Sequence, residues 1–266
     1  MDIISHTLTG LAVGTVASSF SKESWNSRFS IVFFGGLAGA LPDLDAISKW
    51  SRFDETIGEM FNLAHTGSQI YYGKFWYSHH GAFHSLVAPI LLSLFVLTMV
   101  AAIRRFRSID LLKQHLNSHS TKYLAFCLGF IFHLFEDMPT PASVWGGVNF
   151  FFPGSSYVGG FGKIWWWNNY DIVLIIFAVI VINIGLNFIA NSLSSLRAKL
   201  TSMIFGLGLI MILYQINSRP VDFSYSGHTK QYSTYEKQSK EIQKDILGEE
   251  LYRLMEKIDN NLPVLF

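Results

Sequence analysis

The chain has 266 residues, of which half are apolar and only 15% are charged, and its formal net charge is +1. A mean hydropathy of +0.30 and 23 Phe residues are typical of a membrane protein rather than of a soluble domain of this size. The near-neutral charge without a long basic run gives no support to nucleic-acid binding, and the single Cys127 excludes a disulfide framework or a thiolate metal site.

Six apolar stretches predict an all-α fold: a polytopic membrane helical bundle with about six membrane-embedded helices, some of them short. A full span needs about 20 apolar residues, a length that only the third, fifth and sixth stretches approach. The shorter stretches suit helices that stop partway and are covered by protein. In chain order, the stretches are 5–20, 29–41, 86–103, 122–137, 171–190 and 200–216.

The chain divides into a membrane-embedded region, residues 1–216, and a polar tail, residues 217–266. Mixed charges and spaced apolar positions over residues 232–258 predict one amphipathic helix in the tail. That helix would pack beneath the outer face of the bundle or bind an unidentified protein partner. At the other end of the chain, residues 1–5 lack the basic start of a secretory signal, so we expect them to be retained.

The basic residues predict the orientation of the helices. They concentrate in three loops, which follow the first, third and fifth stretches. These residues are Lys22, Arg28, Arg104, Arg105, Arg107, Lys113, Lys122, Arg197 and Lys199. The positive-inside rule places these loops in the cytoplasm. The N-terminus, the loops 42–85 and 138–170, and the tail then face outwards.

Histidine and aspartate residues occur where four of the apolar stretches meet the loops predicted to face outwards. They are His6, Asp43, Asp45, His79, His80, His84, His133 and Asp137. Imidazole and carboxylate groups are ligands that suit zinc, manganese or iron. Because one topology brings all four groups to the same face, the sequence predicts a site there for more than one divalent ion.

Each motif also has a structural alternative. His133 and Asp137 are four residues apart, so they project from one helical face and can reach the same ion, but they could equally form a buried hydrogen bond without metal. Asp43 and Asp45 follow a proline and could simply be turn-forming residues at a solvated helix end. Glu136 is a candidate general base or a group that supports a ligand.

The spacing leaves open whether His79 or His80 joins His84 as a ligand. His80 and His84 are one helical turn apart, but Gly81 favours a helix that starts after it, which weakens this argument. We interpret the remaining histidines as incidental; they are His65, His115, His119 and His228. The aromatic run at residues 165–167 is interpreted as an interfacial belt.

Taken together, four segments in order resemble the predicted membrane-bound metal-dependent hydrolases, a family that includes a LexA-regulated bacterial inner-membrane protein. Here the family pattern G-x-x-x-x-L-P-D-x-D runs from Gly36 to Asp45, and H-x-G-x-x-H-S-L runs from His79 to Leu86. The pattern H-x-x-x-D-x-x-T begins at His133, and G-V-x-x-x-x-P follows it. The likeness covers about residues 1–190.

The resemblance implies a mostly helical fold in the bacterial inner membrane, distantly similar to zinc-dependent phospholipase C and P1-type nuclease. It implies a cluster of zinc ions, with manganese or iron as alternatives. The ligand set that it implies is His6, Asp43, Asp45, His79, His84, His133 and Asp137. One position departs from the family: an arginine usually follows the first histidine of the third segment, whereas this chain has His80.

The expected function is that of a membrane-bound metal-dependent hydrolase whose site faces outwards. Its substrate would be a phosphoester of a lipid or of another molecule at the membrane interface, attacked by metal-activated water. Asp43 and Asp45 would bridge ions or orient the water, and Glu136 would act as a base. The alternative is a transporter or metal sensor without hydrolytic activity. Ionisable groups gathered at one surface, rather than along a path through the membrane, disfavour transport.

Overall fold

The computed structural model describes residues 1–189 and 191–262 of the chain. In that part of the chain no β-strand forms, and only isolated bridges such as Val148 to Val158 occur. The predicted all-α class is therefore confirmed. The α-helices are α1 (Ile3–Ser19), α2 (Trp25–Ala40), α3 (Gly67–Tyr72), α4 (Val87–Ile103), α5 (Ile109–Asp137), α6 (Tyr170–Asn187), α7 (Ser194–Asn217), α8 (Tyr232–Leu247) and α9 (Glu249–Asn260). Short 3₁₀ or π helices lie at Pro42–Lys49, Asp54–Gly58, Ala82–His84 and Asn191–Leu193.

Two helices of the described chain are long and apolar enough to cross a membrane, namely Tyr170–Asn187 and Asn191–Asn217. A third candidate is α2 together with the 3₁₀ helix Pro42–Lys49, which is bent by 44°. The apolar helix α4 is shorter, with 17 residues. All six predicted stretches coincide with helices, although the fifth was predicted to reach residue 190, which lies outside the described residues.

Helix α5 is much longer than the stretch 122–137 that predicted it. It begins at Ile109, where the Ser108 hydroxyl accepts a hydrogen bond from the backbone N–H of Leu111 (3.4 Å). The predicted basic loop before residue 122 was therefore wrong, because most of it is helix. Residues 109–121 contain Leu, Lys and Gln, which favour helix even where no continuous apolar run exists.

The predicted single amphipathic helix of the tail is two helices, α8 and α9, that meet at Gly248. This residue has φ +75°, a left-handed backbone conformation that glycine adopts without the steric cost of a side chain. The apolar pattern continues through the break, which is why the sequence predicted one helix. Residues 263–266 of the tail lie outside the described residues.

Glycine residues bring α1, α2 and α5 into backbone contact. A Cβ atom at Gly10 would overlap the carbonyl oxygen of Gly35, and one at Gly129 would lie 2.5 Å from that same oxygen. A Cβ atom at Gly39 would overlap the carbonyl oxygen of His6. Because α2 has no side chains at these contacts, its end lies directly against His6, the first of the predicted ligands.

Replacing Gly35 by alanine is expected to destabilise the protein by about 1–3 kcal/mol, because the added methyl group overlaps backbone atoms that cannot move independently. The measurement is the unfolding temperature of the purified protein in detergent. Gly206→Ala is the control, since its Cβ would have no atom within 4 Å. If both variants unfold at the wild-type temperature, the close packing of α1 and α2 is not needed for stability.

At the other end of the bundle, two basic residues cap helices. Arg28 and Arg197 are buried, and both were predicted to lie in cytoplasmic loops. Arg197 donates to the carbonyl of Ser19 (2.9 Å) at the end of α1, and Arg28 donates to that of Asn187 (3.0 Å) at the end of α6. Cationic side chains are stabilising at helix C-termini, where carbonyl groups lack partners.

Trp165 is fully buried and packs against Phe223 and Ile242 of the tail. The prediction of an interfacial belt at residues 165–167 is therefore wrong for Trp165. Its indole ring is covered by protein instead of facing a membrane surface. A run of three tryptophans does not reveal from sequence alone that a distant segment packs over it.

A buried polar network fixes the tail to the start of α6. Asp171 accepts hydrogen bonds from Arg219 (2.8 Å) and Gln243 (3.0 Å), and the Tyr170 hydroxyl donates to Asp259 (2.7 Å). Buried ionic groups require partners of this kind, because an unpaired charge in the interior is costly. The tail is thus held at the end of the bundle where α6 begins and α5 ends.

Candidate metal centre

Four pieces of backbone bring the predicted site residues to one end of the bundle. His6 lies in the first turns of α1, and the 3₁₀ helix after α2 carries Asp43 and Asp45. His84 ends the 3₁₀ helix before α4, and His133 occupies the last turns of α5. The loop before His84 carries His79 and His80, and Asp137 ends α5. His6, His84 and His133 are completely buried, and Asp137 is 3% exposed.

Each imidazole in the cluster has its Nδ1 atom next to an acceptor. Two of these acceptors are backbone carbonyls: Nδ1 of His133 lies 2.7 Å from the oxygen of Gly39, and Nδ1 of His80 lies 2.9 Å from that of Gly147. A carbonyl can only accept, so both Nδ1 atoms carry the proton. The Nε2 atoms of these two neutral rings are then lone-pair donors that face the cluster.

The other three imidazoles use carboxylates in the same way. Nδ1 of His6 lies 2.8 Å from Glu136 Oε2, and Nδ1 of His79 lies 2.7 Å from Asp45 Oδ1. Nδ1 of His84 lies 3.1 Å from Asp45 Oδ2, a close contact without hydrogen-bond geometry. Metal-binding histidines almost always have their second nitrogen held by a carboxylate or carbonyl, which fixes the ring orientation.

The Nε2 atoms and two carboxylates converge at the centre of the cluster. His133 Nε2 lies 3.3 Å from His84 Nε2 and 3.2 Å from Asp137 Oδ2. His6 Nε2 lies 3.1 Å from Asp137 Oδ1, and Asp43 Oδ1 lies 3.7 Å from Nε2 of both His84 and His133. Three overlapping groups offer ligand atoms that all lie within 4.8 Å of one another: His79 with His80 and His84, His6 with His133 and Asp137, and Asp43 with His84 and His133.

A divalent cation at the centre of the cluster would satisfy several of these contacts. If the Nδ1 atoms of His133 and His84 carry the protons, their Nε2 lone pairs face each other at 3.3 Å. The buried oxygen Asp137 Oδ2 has no hydrogen-bond partner among the described residues. Buried lone pairs and carboxylate oxygens without donors are costly unless a cation lies among them. Imidazole nitrogen and carboxylate oxygen are the donor set of zinc sites.

Asp45 and Glu136 occupy positions different from those of the other predicted site residues. Asp45 lies behind His79 and His84 and is absent from the three groups above. Glu136 lies behind His6, and it also accepts a hydrogen bond from the Thr9 hydroxyl. Both carboxylates therefore orient imidazole rings in this structure.

Both His79 and His80 belong to the cluster, so the alternatives that spacing left open are adjacent in space. Burial, together with neighbouring His79 and His84, holds the pKa of His80 well below its usual value. A neutral imidazole is the form that binds metal. His80 has φ +63°, and its carbonyl accepts from the N–H of Asn149 (3.0 Å), so the loop after α5 sets its orientation.

Residue Met1 also reaches the cluster. Its amino group donates to Asp137 Oδ1 (2.5 Å), and its carbonyl oxygen accepts from His6 Nε2 (3.1 Å), a hydrogen bond that His6 would give up to bind metal. The side chain of Asp2 caps α1 by accepting from the backbone N–H of Ser5 (2.9 Å). This cap fixes the first turn of α1 and hence the position of His6.

A cavity of about 400 Å³ opens beside the cluster, and its walls include Asp43, His79, His80 and Asp137. The tail contributes further wall residues, which are Tyr225, His228, Thr229 and Tyr232. His228 was interpreted as incidental, yet it lines this cavity. No pattern in its local sequence links it to the other histidines.

Lys49 also lines this cavity, and sequence reasoning missed it as well. A usable signal existed, because a 3₁₀ helix has three residues per turn and positions i, i+3 and i+6 share a face. Asp43, Ala46 and Lys49 have this spacing, and all three line the cavity. The sequence predicted only a turn after the proline, so the shared face was not apparent.

Comparison with known protein families identifies the chain. A family described as YdjM inner membrane protein matches residues 1–219. The chain belongs to this family. No curated protein and no solved structure matches the chain. The family description establishes an inner-membrane protein, in agreement with the apolar helices, and it specifies no activity. The match includes every residue of the cluster and ends before the tail residues that line the cavity.

Proposed function

We propose that this YdjM-family protein is a membrane-bound metal-dependent hydrolase that cleaves a phosphoester at the membrane interface, with its site facing outwards. The observation that carries the proposal is the convergence of buried Nε2 atoms on Asp43 and Asp137, beside an open cavity. A closed structural metal site has no need of a cavity, whereas a catalytic site keeps a position open for water and substrate.

Some residues of the cluster would bind the metal, and others orient the imidazole rings that bind it. The residues with ligand atoms in the three groups are His6, Asp43, His79, His80, His84, His133 and Asp137. Zinc suits these donors, and the overlap of three groups favours more than one ion. Bound there, divalent ions would lower the pKa of water to about 7 and would polarise a phosphoryl oxygen.

The role of Glu136 follows from its contacts. Its carboxylate holds His6 Nδ1 and the Thr9 hydroxyl, and it does not line the cavity beside the cluster. We therefore assign it to orienting His6 and favour Asp43, which does line that cavity, as the carboxylate that orients an attacking water.

The position of Lys49 favours an anionic substrate over a neutral one. Its Nζ atom lies 4.7 Å from the ring centre of Tyr72 and 5.4 Å from that of Tyr71, and no carboxylate of the described residues forms an ion pair with it. An ammonium group without a counter-ion, in the same cavity as the cluster, favours a phosphate group there. Lys49 thus supplies a positive charge near His80, the position at which the resembled hydrolases usually have an arginine.

Lys49→Met is expected to raise KM for bis-p-nitrophenyl phosphate about tenfold, or about 1.4 kcal/mol of binding energy, because the apolar side chain keeps the packing on Tyr72 and removes the charge. Bound metal should not change. Lys74→Met is the matched control, since Lys74 also lies over a tyrosine ring, that of Tyr157, but does not line the cavity. Equal KM values for both variants and the wild type would eliminate Lys49 as a substrate contact.

The outward orientation predicts the behaviour of topology reporters. A reporter inserted after Lys113 is expected to be cytoplasmic, and one inserted at Gly227 external, because most basic residues of the region 1–216 lie near the end of the bundle opposite the cluster. Alkaline phosphatase and green fluorescent protein fusions would give complementary signals. Phosphatase activity at Lys113 with none at Gly227 would reverse the proposed orientation.

The hydrolase proposal is tested with purified protein in detergent. Hydrolysis of bis-p-nitrophenyl phosphate should be lost after chelation and restored by zinc or manganese. A protein that binds metal stoichiometrically but hydrolyses neither this compound nor a phospholipid under any metal would instead be a metal-binding or sensor protein.

A further inference from the structure

We propose that an apolar groove next to the metal centre holds one acyl chain of a membrane phospholipid. This inference rests on the proposed phosphoester hydrolysis, since it specifies the substrate class of the same site. The groove would bind the chain while the phosphate group lies at the cluster. It is a second cavity, distinct from the one lined by Lys49 and the tail.

The groove has a volume of about 480 Å³ and is bordered by α1, α5, α6 and α7. Its walls are mostly aliphatic and aromatic, and they include Ala12, Ile176, Phe205, Leu209, Ile212 and Leu213. Two of these four helices, α6 and α7, belong to the segments that can cross a membrane. A groove between membrane-crossing helices is in contact with lipid chains but not with water-soluble ligands. An acyl chain in the groove stays in apolar surroundings, as it does in the bilayer.

One end of the groove meets the metal centre. Met1 lines both the groove and the cavity beside the cluster, and Glu136, which holds His6, lines the groove. Lys163 also lies on its wall. The Glu136 carboxylate is paired with His6 and Thr9, so it leaves no free charge facing an acyl chain. A phospholipid could therefore place its phosphate and its chain on the two sides of Met1.

The depth of the groove matches one leaflet of a bilayer. Along α7 it extends from Asn217 to Phe205, twelve residues that span about 18 Å at 1.5 Å per residue. The hydrocarbon core is about 30 Å thick, so one leaflet is about 15 Å. At the inner end the rings of Phe132 and Phe205 are in edge-to-face contact, with centroids 5.3 Å apart. A groove of this depth fits a single chain.

The experiment compares adjacent positions on α7. Leu209→Trp fills the groove, whereas Ile210→Trp places the same ring on a side chain that is 64% exposed and does not line the groove. Leu213→Trp, at a lining position that is 58% exposed, is a second filling variant that disturbs the packing less. Unchanged metal content and a single size-exclusion peak show that each variant is folded.

Two readouts separate this proposal from the hydrolase proposal. Native mass spectrometry with added dioleoyl phosphatidylglycerol should show one bound lipid in the wild type and in Ile210→Trp, and at least a fivefold lower occupancy in the filling variants. In vesicles of the same lipid, kcat/KM for the lipid should fall at least tenfold in the filling variants. Hydrolysis of bis-p-nitrophenyl phosphate should not change.

Equal lipid occupancy in all variants would overturn the groove proposal, even if every variant hydrolyses the soluble compound. The expected occupancy pattern without hydrolysis of either compound would uphold the groove and overturn the hydrolase proposal. A filling variant that loses soluble and lipid hydrolysis equally, while its metal and its lipid occupancy stay unchanged, would also overturn the groove as the place of the substrate chain.

Discussion

His133→Ala and Asp137→Ala are each expected to remove most of the bound metal and to lower hydrolysis of bis-p-nitrophenyl phosphate about 100-fold or more, a change of at least about 2.7 kcal/mol. The two side chains lie one helical turn apart at the end of α5, with Nε2 and Oδ2 3.2 Å apart. Each removal deletes one of the ligand atoms at the centre of the cluster.

The same helix provides the control. His115 and His119 are also four residues apart on α5, with stacked rings whose centroids lie 4.2 Å apart, but they are partly exposed and near the opposite end. His115→Ala and His119→Ala should leave metal content and activity unchanged. Metal measured by elemental analysis at the same level in all four variants would show that the cluster on α5 is not a metal site.

Asp45→Ala is the second substitution with a large expected effect, although Asp45 is not at the centre of the cluster. Its Oδ1 atom is hydrogen-bonded to Nδ1 of His79 (2.7 Å), and its Oδ2 atom lies 3.1 Å from Nδ1 of His84 without hydrogen-bond geometry. Loss of a group that orients metal-binding histidines typically lowers metal affinity 10–100-fold, and here the lost carboxylate lies beside two rings. We therefore expect a decrease of about 100-fold, measured by competition with a chromophoric chelator.

Asp45→Asn separates this role from direct ligation. An asparagine keeps one acceptor oxygen, so it can hold one of the two imidazoles, and its metal affinity should lie between those of the wild type and Asp45→Ala. Glu59→Ala, which removes an exposed carboxylate of the same segment, should bind metal as the wild type does. If Asp45→Asn loses as much affinity as Asp137→Ala, Asp45 binds metal directly.

Much of the site could be predicted from sequence because its residues lie at the ends of apolar stretches. His6, Asp43, His84 and His133 each adjoin a helix end, and the positions of basic loops were enough to assign these ends to one face. Periodicity and charge counts need no knowledge of tertiary contacts. The same reasoning gave the all-α class and the six apolar helices.

The orientation of the ligands could not be predicted in this way. The carbonyl groups of Gly39 and Gly147 fix the rings of His133 and His80, and any residue type has a carbonyl. Whether these two carbonyls reach the rings depends on where the end of α2 and the loop after α5 lie. Packing determines those positions. The role of Asp45 behind two histidines, rather than among them, is also visible only in three dimensions.

The tail shows a different limit of sequence reasoning. Amphipathic periodicity predicted one helix where two form, and their position depends on contacts of Asp171 with Arg219 and Gln243, residues far apart in the chain. No local pattern links these three residues. As a result, the contribution of His228 to the cavity wall was not foreseen.

X-ray absorption spectroscopy of the zinc-loaded wild-type protein tests the central claim most directly, because it reports the atoms bound to the metal without requiring a substrate. The account predicts a shell of nitrogen and oxygen at about 2.0–2.1 Å, with the outer scattering of several imidazole rings and no sulfur at about 2.3 Å. The same signal should decrease in His133→Ala. A sulfur shell, a spectrum without imidazole scattering, or a protein that retains no metal after loading and desalting would contradict it.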